Sequence, residues 1–303
     1  MTRNRRLRIT IALACWNTMA LSALPQEGPP AIRDLYSTES FNVVVTVSDR
    51  AASNTFYGDV LGLKKAGVWD TMPENGTMDI YLAGNTRLKL VSFPRKLPKQ
   101  AGGLENARGL RLLAFTLDDE EGVIRRLRAH GCEMTGFGRL AGTEFSQCFV
   151  RDPDDNPVEL VLVPKGTDAG GRGRFAVGLA VADVEASRRF YGRVLGLDEQ
   201  PPQKRADGRP IYSFQFGNEV VKFWPADREL PAWTGYHGDA VGIRYIQFPV
   251  RDLAKAHAYF MTAGANVIRA PYAFAPPRTW LMFVGDPEGV WIEFPGRPAA
   301  KDK

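Results

Sequence analysis

The stretch DRAASNTFYGDVLGL at residues 49–63 recurs as DVEASRRFYGRVLGL at residues 183–197, so the two copies begin 134 residues apart. A second pair of segments keeps the same spacing, because DPDDNPVE at residues 152–159 recurs as DPEGVWIE at residues 286–293. One offset for both pairs means that the second half of the chain duplicates the first with almost no insertion. The sequence therefore predicts two tandem domains of the same fold.

A weaker repeat divides each half into two modules. An apolar, β-branched run leads to an aspartate four times, at Asp49, Asp119, Asp183 and Asp252. An aspartate at this place can accept hydrogen bonds from the free N–H groups of a helix's first turn. A glycine ends each predicted helix, and short alternating strands follow it. The repeating unit is thus one strand, one helix and three strands, and the predicted fold class is α+β.

These segments resemble the vicinal oxygen chelate (VOC) superfamily, which includes glyoxalases, extradiol dioxygenases and bleomycin resistance proteins. The resemblance rests on V-x-D-x-x-x-S-x-x-F-Y-x-x-V-L-G-L, present twice, and on the two segments that begin Asp-Pro and end in Glu. It covers residues 38–165 and 174–298, and only Val290 departs from the second motif. It implies two tandem VOC domains, each of two βαβββ modules whose mixed sheet curls around a cleft. Many functions share this fold, so the resemblance specifies function less closely than architecture.

In that superfamily, four side chains that face the cleft hold a metal ion, two from first strands and two from last strands. The first-strand ligand lies seven residues before the aspartate that caps the helix, and the last-strand ligand is a glutamate flanked by apolar residues. The resemblance therefore implies eight candidate ligand-binding positions. They are Asn42, Lys89, Leu112 and Glu159 in the first half, and Ala176, Lys222, Tyr245 and Glu293 in the second.

These eight residues do not supply the expected metal ligands. Each half keeps its glutamate, and Asn42 adds only a weak carbonyl oxygen. A protonated lysine has no lone pair to donate and repels a divalent cation. The histidines do not compensate, because His130 ends a predicted helix, His237 lies in a Gly-rich loop and His257 falls within a helix. We therefore predict that neither half holds a catalytic metal, and no other cofactor is expected.

Lys89 and Lys222 occupy equivalent strand positions, and two interpretations of them stay open. The family register points them into their clefts, where they would face Glu159 and Glu293 respectively, whereas most strand lysines face solvent. An inward lysine has three roles to choose from: a structural plug, a binding group for an anionic or enolate-like ligand, and a catalytic amine whose pKa is lowered by burial. Tyr245 would present its hydroxyl to the same kind of cleft.

Three functions are compatible with these residues. The first is an exported protein, similar to the bleomycin resistance branch, that binds a small-molecule ligand in a metal-free cleft. The second is a VOC metalloenzyme, either a glyoxalase-type lyase or isomerase or an extradiol-dioxygenase type. The third is an interaction module with degenerate pockets. The sequence also leaves open whether modules pair within a half or between halves, and whether the chain forms homo-oligomers.

The N-terminus carries most of the excess positive charge. The formal net charge of the 303 residues is +5, and Arg3, Arg5, Arg6 and Arg8 contribute four of these charges. This basic start, an apolar stretch at residues 9–16 and small residues before Leu24 predict a signal peptide and hence a periplasmic or secreted protein. Its removal leaves about +1, too little for a nucleic-acid partner, and no later stretch is apolar enough to span a membrane. The predicted organisation is a signal peptide at 1–23, a linker at 24–37, a domain at 38–165, a linker at 166–173, a domain at 174–298 and a tail at 299–303.

Two cysteines remain after the predicted signal peptide. Cys132 and Cys148 make an even number, as a disulfide in an exported protein requires. The predicted hairpin sets them slightly out of register, so a bridge is geometrically marginal. Two free thiols that pack as small apolar side chains are an equally compatible arrangement.

Overall fold

The computed structural model describes residues 31–70, 72–100, 102–140, 142–167, 174–205, 208–275 and 279–297. The predicted signal peptide, half of the first predicted linker, most of the second and the tail lie outside these residues. Within them, sixteen strands form two eight-stranded mixed sheets, flanked by short helices. The predicted α+β class and the repeating unit of one strand, one helix and three strands are confirmed.

The strands and helices fall into four modules. Module 1 comprises β1 (Asn42–Val47), α2 (Arg50–Asn54), β2 (Lys64–Trp69), β3 (Thr77–Ala83) and β4 (Thr86–Ser92). Module 2 comprises β5 (Gly109–Asp118), α3 (Glu120–Ala129), β6 (Thr135–Arg139), β7 (Ser146–Arg151) and β8 (Pro157–Val163). Module 3 comprises β9 (Phe175–Val181), α4 (Val184–Arg188), β10 (Asp198–Lys204), β11 (Pro210–Phe216) and β12 (Glu219–Pro225). Module 4 comprises β13 (Gly242–Gln247), α5 (Leu253–Thr262), β14 (Asn266–Ala275), β15 (Thr279–Gly285) and β16 (Trp291–Gly296).

Three of the four predicted helix caps are present. The side chains of Asp49, Asp183 and Asp252 each accept a hydrogen bond from a backbone N–H in the first turn of the helix that follows. The prediction is wrong at Asp119, which has a φ of 68° and makes no capping hydrogen bond. In this left-handed conformation its carboxylate lies against Gly122, where an added Cβ would be only 1.9 Å from a carboxylate oxygen. Helices α2 and α4 continue as π-helical segments, Thr55–Val60 and Arg189–Val194.

The modules pair between the two halves of the chain, which settles the question that the sequence left open. Sheet 1 combines modules 1 and 4 in the order β14-β15-β16-β13-β1-β4-β3-β2. Sheet 2 combines modules 2 and 3 in the order β10-β11-β12-β9-β5-β8-β7-β6. The connection from β8 to β9 is short, and such connections place consecutive elements next to each other. The longer segments 93–108 and 226–241 cross from one sheet to the other.

One hydrophobic core joins the two sheets. Alternate strand residues from both sheets contribute to it, and the rings of Phe41 and Phe175 meet across the sheets with centroids 6.0 Å apart. The opposite face of each sheet carries separate, smaller apolar clusters. We call the opposite face of sheet 1 cleft 1 and that of sheet 2 cleft 2.

The most strongly repeated motif residues link the modules of each half. The hydroxyl of Tyr57 donates to Asp152 Oδ2 at 2.8 Å, and that of Tyr191 donates to Asp286 Oδ2 at 2.9 Å. All four side chains are buried. Each contact connects a helical segment beside one sheet with a turn of the other sheet, so these motif residues stabilise the fold and lie away from the clefts.

Two other sequence expectations concern the first linker and the two cysteines. The predicted linker at residues 24–37 contains helix α1 (Ala31–Leu35), and the buried Tyr36 donates its hydroxyl hydrogen bond to Leu195 O. That linker is therefore shorter than predicted, because Tyr36 packs into the core. Cys132 and Cys148 are both free thiols. Within the described ranges no helix is long and apolar enough to cross a membrane.

We expect Tyr57→Phe to lower the free energy of unfolding by about 2 kcal/mol, because a buried carboxyl group loses a hydrogen bond from a side chain that is otherwise unchanged in shape. Tyr212→Phe is the matched control, since the Tyr212 hydroxyl makes no hydrogen bond among the described residues. Urea denaturation followed by circular dichroism measures both. Equal stability of the two variants would contradict a structural role for the Tyr57–Asp152 contact.

Candidate functional site

The eight positions derived from the sequence lie on the two cleft faces, four on each. Their neighbours along the strands belong to the common core, and strand alternation turns the positions themselves to the opposite face. Both lysines therefore point inward rather than to the outer solvent. Cleft 1 contains Asn42, Lys89, Tyr245 and Glu293, and cleft 2 contains Leu112, Glu159, Ala176 and Lys222.

The lysine–glutamate pairs differ from those that the sequence predicted. Lys222 forms an ion pair with Glu159, and the two side chains are only 3% and 0% exposed. In cleft 1, the charge of Glu293 acts on Lys89 and opposes the lowering of the lysine pKa by burial. The predicted pairs Lys89–Glu159 and Lys222–Glu293 are therefore wrong. The reason is the pairing of modules between halves, which brings each lysine strand into the same sheet as the other half's glutamate strand.

Cleft 2 is filled by its own side chains. Gln147 Nε2 donates to Glu159 at 2.6 Å, on the carboxylate that also pairs with Lys222. The ring of Trp224 is completely buried and lies so close to Gly178 that an added Cβ there would be 2.7 Å from it. Leu104, from crossing segment 93–108, packs in the same apolar cluster. The lysine–glutamate pair of cleft 2 is thus buried, and the Trp224 ring packs on the same face of the sheet.

Neither cleft offers a donor set that fits a metal ion. In cleft 1 the side-chain oxygen of Asn42 accepts a hydrogen bond from the backbone N–H of Arg87, and Lys89 presents an amine rather than a carboxylate or imidazole. Cleft 2 has alkyl side chains at both first-strand positions. Within the described part of the chain, no group of three or more His, Cys, Asp or Glu residues is placed to hold a metal ion. The metal that the fold family implies therefore does not match these residues.

The carboxylate of cleft 1 is held by neutral donors. Gln247 Nε2 donates to Glu293 Oε2 at 2.7 Å, and the hydroxyl of Tyr245 also donates to Glu293. The Nδ1 of His237 lies 2.7 Å from that hydroxyl. Because the hydroxyl gives its one proton to Glu293, we assign the hydrogen of this contact to Nδ1. Burial lowers the pKa of His237 to about 3, so its ring is neutral at physiological pH.

In cleft 1, the amine of Lys89 has N–H donors that no described residue accepts. Its side chain is half-buried, and its amine makes no hydrogen bond or ion pair among the residues that the structure describes. Burial lowers the pKa of Lys89, and burial raises the pKa of Glu293. Burial thus shifts both groups towards their uncharged forms, and the charge of each partner opposes that shift.

Aromatic and aliphatic side chains surround this amine. Ile80 stands opposite Lys89 on the neighbouring strand β3. The rings of Tyr236 and Tyr245 stack with their centroids 5.9 Å apart and their planes 5° apart. Several apolar side chains that pack against the cleft 1 cluster are only partly buried. They are Trp69, Ile80, Phe93, Tyr236, Ile268, Tyr272, Phe274 and Trp291.

Sequence reasoning missed the contribution of crossing segment 226–241. His237 belongs to that segment, and it enters cleft 1 because its backbone oxygen accepts a hydrogen bond from Thr46 Oγ1 at 2.7 Å. The buried Arg244 donates to the backbone oxygens of Thr234 and Tyr236 and holds the segment in place. His237 does lie in a loop, as predicted, but the sequence did not indicate that this loop enters cleft 1.

A signal for that segment was present in the sequence. Gly242-Ile-Arg244 repeats Gly109-Leu-Arg111 at a spacing of 133 residues. Arg111 donates to the backbone oxygen of Gly103 in crossing segment 93–108, as Arg244 does in segment 226–241. A buried arginine repeated next to a candidate site position indicates a loop held against the sheet.

The chain matches the Glyoxalase/Bleomycin resistance protein/Dioxygenase superfamily over residues 41–160 and 174–294. Among curated proteins it is similar to "Uncharacterized protein YaeR" of Escherichia coli (strain K12), with 31% identity over 122 residues, 39% of this chain and 92% of that protein. It is also similar to "Uncharacterized protein YwkD" of Bacillus subtilis (strain 168), with 32% identity over 124 residues, again 39% and 92%.

Solved structures agree at the level of the fold. Glyoxalase I from Zea mays superimposes with a TM-score of 0.64 and 19% identity, covering 84% of this chain and 91% of that one. A putative dioxygenase from Bacillus subtilis superimposes with a TM-score of 0.63 and 11% identity, covering 86% and 85%. At these identities the likeness shows the architecture alone.

A double-mutant cycle tests the observed pairing. We expect Lys222→Met and Glu159→Leu each to cost about 3–5 kcal/mol, because each leaves a buried charge without its partner, and the double variant to cost much less. The comparison cycle combines Lys89→Met with Glu159→Leu, which lie in different sheets and should be additive. Urea unfolding gives both coupling energies. Coupling in the second cycle and additivity in the first would contradict the pairing of modules between halves.

Proposed function

The chain belongs to the Glyoxalase/Bleomycin resistance protein/Dioxygenase superfamily, and from this premise we propose that it binds a small organic molecule in cleft 1 without a metal ion. The observation that carries this proposal is the amine of Lys89, which faces the cleft with no hydrogen-bond partner among the described residues. Because the side chain is only half-buried, water can reach the amine in the free protein, and a ligand that accepts its hydrogen bond takes the place of that water.

The surroundings of the amine specify the ligand class. Partly exposed rings, among them Phe93, Tyr236 and Trp291, favour a planar, largely apolar molecule. Lys89 and Glu293 together carry no net charge, whether both are ionised or both are neutral. Such a pair favours a carbonyl or enolate-like oxygen over a strongly charged group. The proposed ligand is therefore a small aromatic molecule that carries such an oxygen.

The other two functions receive less support. The donor sets of both clefts argue against a metalloenzyme, as set out above. For an interaction module, a contiguous apolar surface would be expected. Within the described residues, the exposed large apolar side chains are Val68, Phe137 and Met261, which lie on β2, β6 and α5 and do not form one patch by sequence or by strand neighbourhood.

Methyl benzoate and benzyl methyl ether test the proposal, because they differ in the carbonyl oxygen and neither forms an imine. We expect the ester to bind about tenfold more tightly than the ether, as one additional hydrogen bond provides about 1.4 kcal/mol. In Lys89→Met the affinity for the ester should fall to that of the ether. Dissociation constants from NMR titration measure each.

The control is the double variant Lys222→Met/Glu159→Leu, which removes the corresponding pair from cleft 2. Its preference for the ester should equal that of the unaltered protein. An ester preference that survives Lys89→Met, or that disappears in the cleft 2 variant, would place recognition elsewhere and overturn the proposal. Failure of both compounds to bind would do the same.

We propose in addition that the protein is exported after removal of residues 1–23. The support is the basic, apolar and small-residue pattern of that segment. Expression of the full chain in a bacterial host with a periplasm should yield protein whose N-terminus is Leu24, as determined by mass spectrometry. Ala23→Asp should block the processing. Mature protein that still begins at Met1 would contradict export by this route.

A further inference from the structure

Deepening the proposed function and resting on it, we propose that Lys89 is a nucleophile that forms an imine with an aromatic aldehyde or ketone in cleft 1, with Glu293 as its acid–base partner. A lysine that attacks a carbonyl carbon needs a free electron pair, access for the carbonyl compound and a nearby proton donor and acceptor. Cleft 1 brings these three conditions together at one amine.

The free electron pair follows from the surroundings of Lys89. The amine has no ion pair or hydrogen bond among the described residues, and the charge of Glu293 opposes the effect of burial on its pKa without cancelling it. It stands among apolar groups, with Ile80 directly opposite and Val44 beside it on β1. Desolvation by these groups disfavours the ammonium form, and the lowered pKa of Lys89 agrees with that expectation.

The proton donor and acceptor is the carboxyl group of Glu293. Glu293 and Lys89 face the same cleft from the two ends of the strand run β16-β13-β1-β4, beyond ion-pair distance of each other, so a carbonyl group bound between them can reach both. Gln247 fixes one carboxyl oxygen at 2.7 Å, and Tyr245 donates to the same carboxyl group. His237 in turn fixes the hydroxyl of Tyr245. These contacts hold the carboxyl group in one orientation, so Gln247, Tyr245 and His237 are positioning residues.

The reaction balances with the groups present. The lysine nitrogen attacks the carbonyl carbon, a C–N bond forms, and the carbonyl oxygen takes the proton of the Glu293 carboxylic acid. The nitrogen then returns one proton to the carboxylate, which gives a neutral carbinolamine. The carboxylic acid protonates the hydroxyl group, the C–O bond breaks and water leaves. The products are a protonated imine on Lys89, a carboxylate on Glu293 and one water molecule, and no oxidant or reductant takes part.

Lys222, the equivalent lysine of cleft 2, is an internal control for the reactivity of Lys89. Lys222 is ion-paired with Glu159, and both side chains are buried. A carbonyl compound has no access to it, and the ion pair keeps its electron pair protonated. The two clefts therefore separate a reactive lysine from an inert one at equivalent positions of the repeat.

Reductive trapping with benzaldehyde and cyanoborohydride tests the inference, because cyanoborohydride converts an imine to a stable benzyl amine. Peptide mapping by mass spectrometry then reports each lysine separately. We expect Lys89 to be benzylated several times faster than the exposed Lys96, because its lowered pKa leaves a larger fraction of free amine. Lys222 should stay unmodified. Glu293→Gln should slow labelling of Lys89 several-fold.

The outcomes separate this inference from the proposed function. Labelling of Lys89 no faster than that of Lys96, in protein that still prefers methyl benzoate through Lys89, would overturn imine formation and leave the binding function intact. Loss of the ester preference overturns both. Equal labelling of Lys89 and Lys222 would show that the reactivity does not depend on the cleft, and would also overturn the inference. Glu293→Gln that labels at the unaltered rate, with its circular dichroism unchanged, would remove Glu293 from the step.

Discussion

The antiparallel pairing of first strands, β1 with β13 and β5 with β9, determines what each cleft contains. It brings Asn42 and Tyr245 together in cleft 1, and Leu112 and Ala176 together in cleft 2. Pairing within each half would instead have given each cleft one polar and one apolar first-strand residue. The observed pairing concentrates polar side chains in one cleft and alkyl groups in the other. A chain built from two similar halves thus has two chemically different clefts.

Two substitutions within the repeat accompany the difference between the clefts. Val44 lies beside Lys89 in register, as Gly178 lies beside Lys222. The missing side chain at Gly178 leaves room for the ring of Trp224 next to the buried lysine of cleft 2. The equivalent position in cleft 1 is Val91, whose smaller side chain is next to the half-buried Lys89. The larger side chain therefore occurs in the closed cleft.

The sequence predicted the fold and the site positions from local patterns, and it failed where contacts are long-range. The Asp-capped helices and the FY motif are local, and all but the cap at Asp119 were predicted correctly. The family register implied that Lys89 and Lys222 face their clefts, whereas the strand pattern alone left a solvent-facing arrangement open. The partners of these lysines did not follow from the sequence, because pairing of modules depends on which strands meet in space. His237 was missed for the same reason, since a loop held by Arg244 has no periodicity of its own.

The two clefts compensate their buried glutamates in different ways. A buried carboxylate without a metal costs several kcal/mol unless a cation or hydrogen-bond donors compensate it. In cleft 2 the compensation comes from direct contact with Lys222 together with Gln147. In cleft 1 it comes from two neutral donors, Gln247 and Tyr245, and Lys89 makes no ion pair or hydrogen bond with the carboxyl group.

The neutral donors of cleft 1 have a chemical consequence for its lysine. Because they satisfy the oxygens of Glu293, Lys89 does not have to donate to that carboxylate. Its hydrogen-bonding capacity remains directed into the cleft, towards whatever occupies the space among the aromatic side chains. The equivalent residue pair is therefore a buried ion pair in sheet 2 and an open pair without direct contact in sheet 1. The difference lies in which side chains donate to the glutamate.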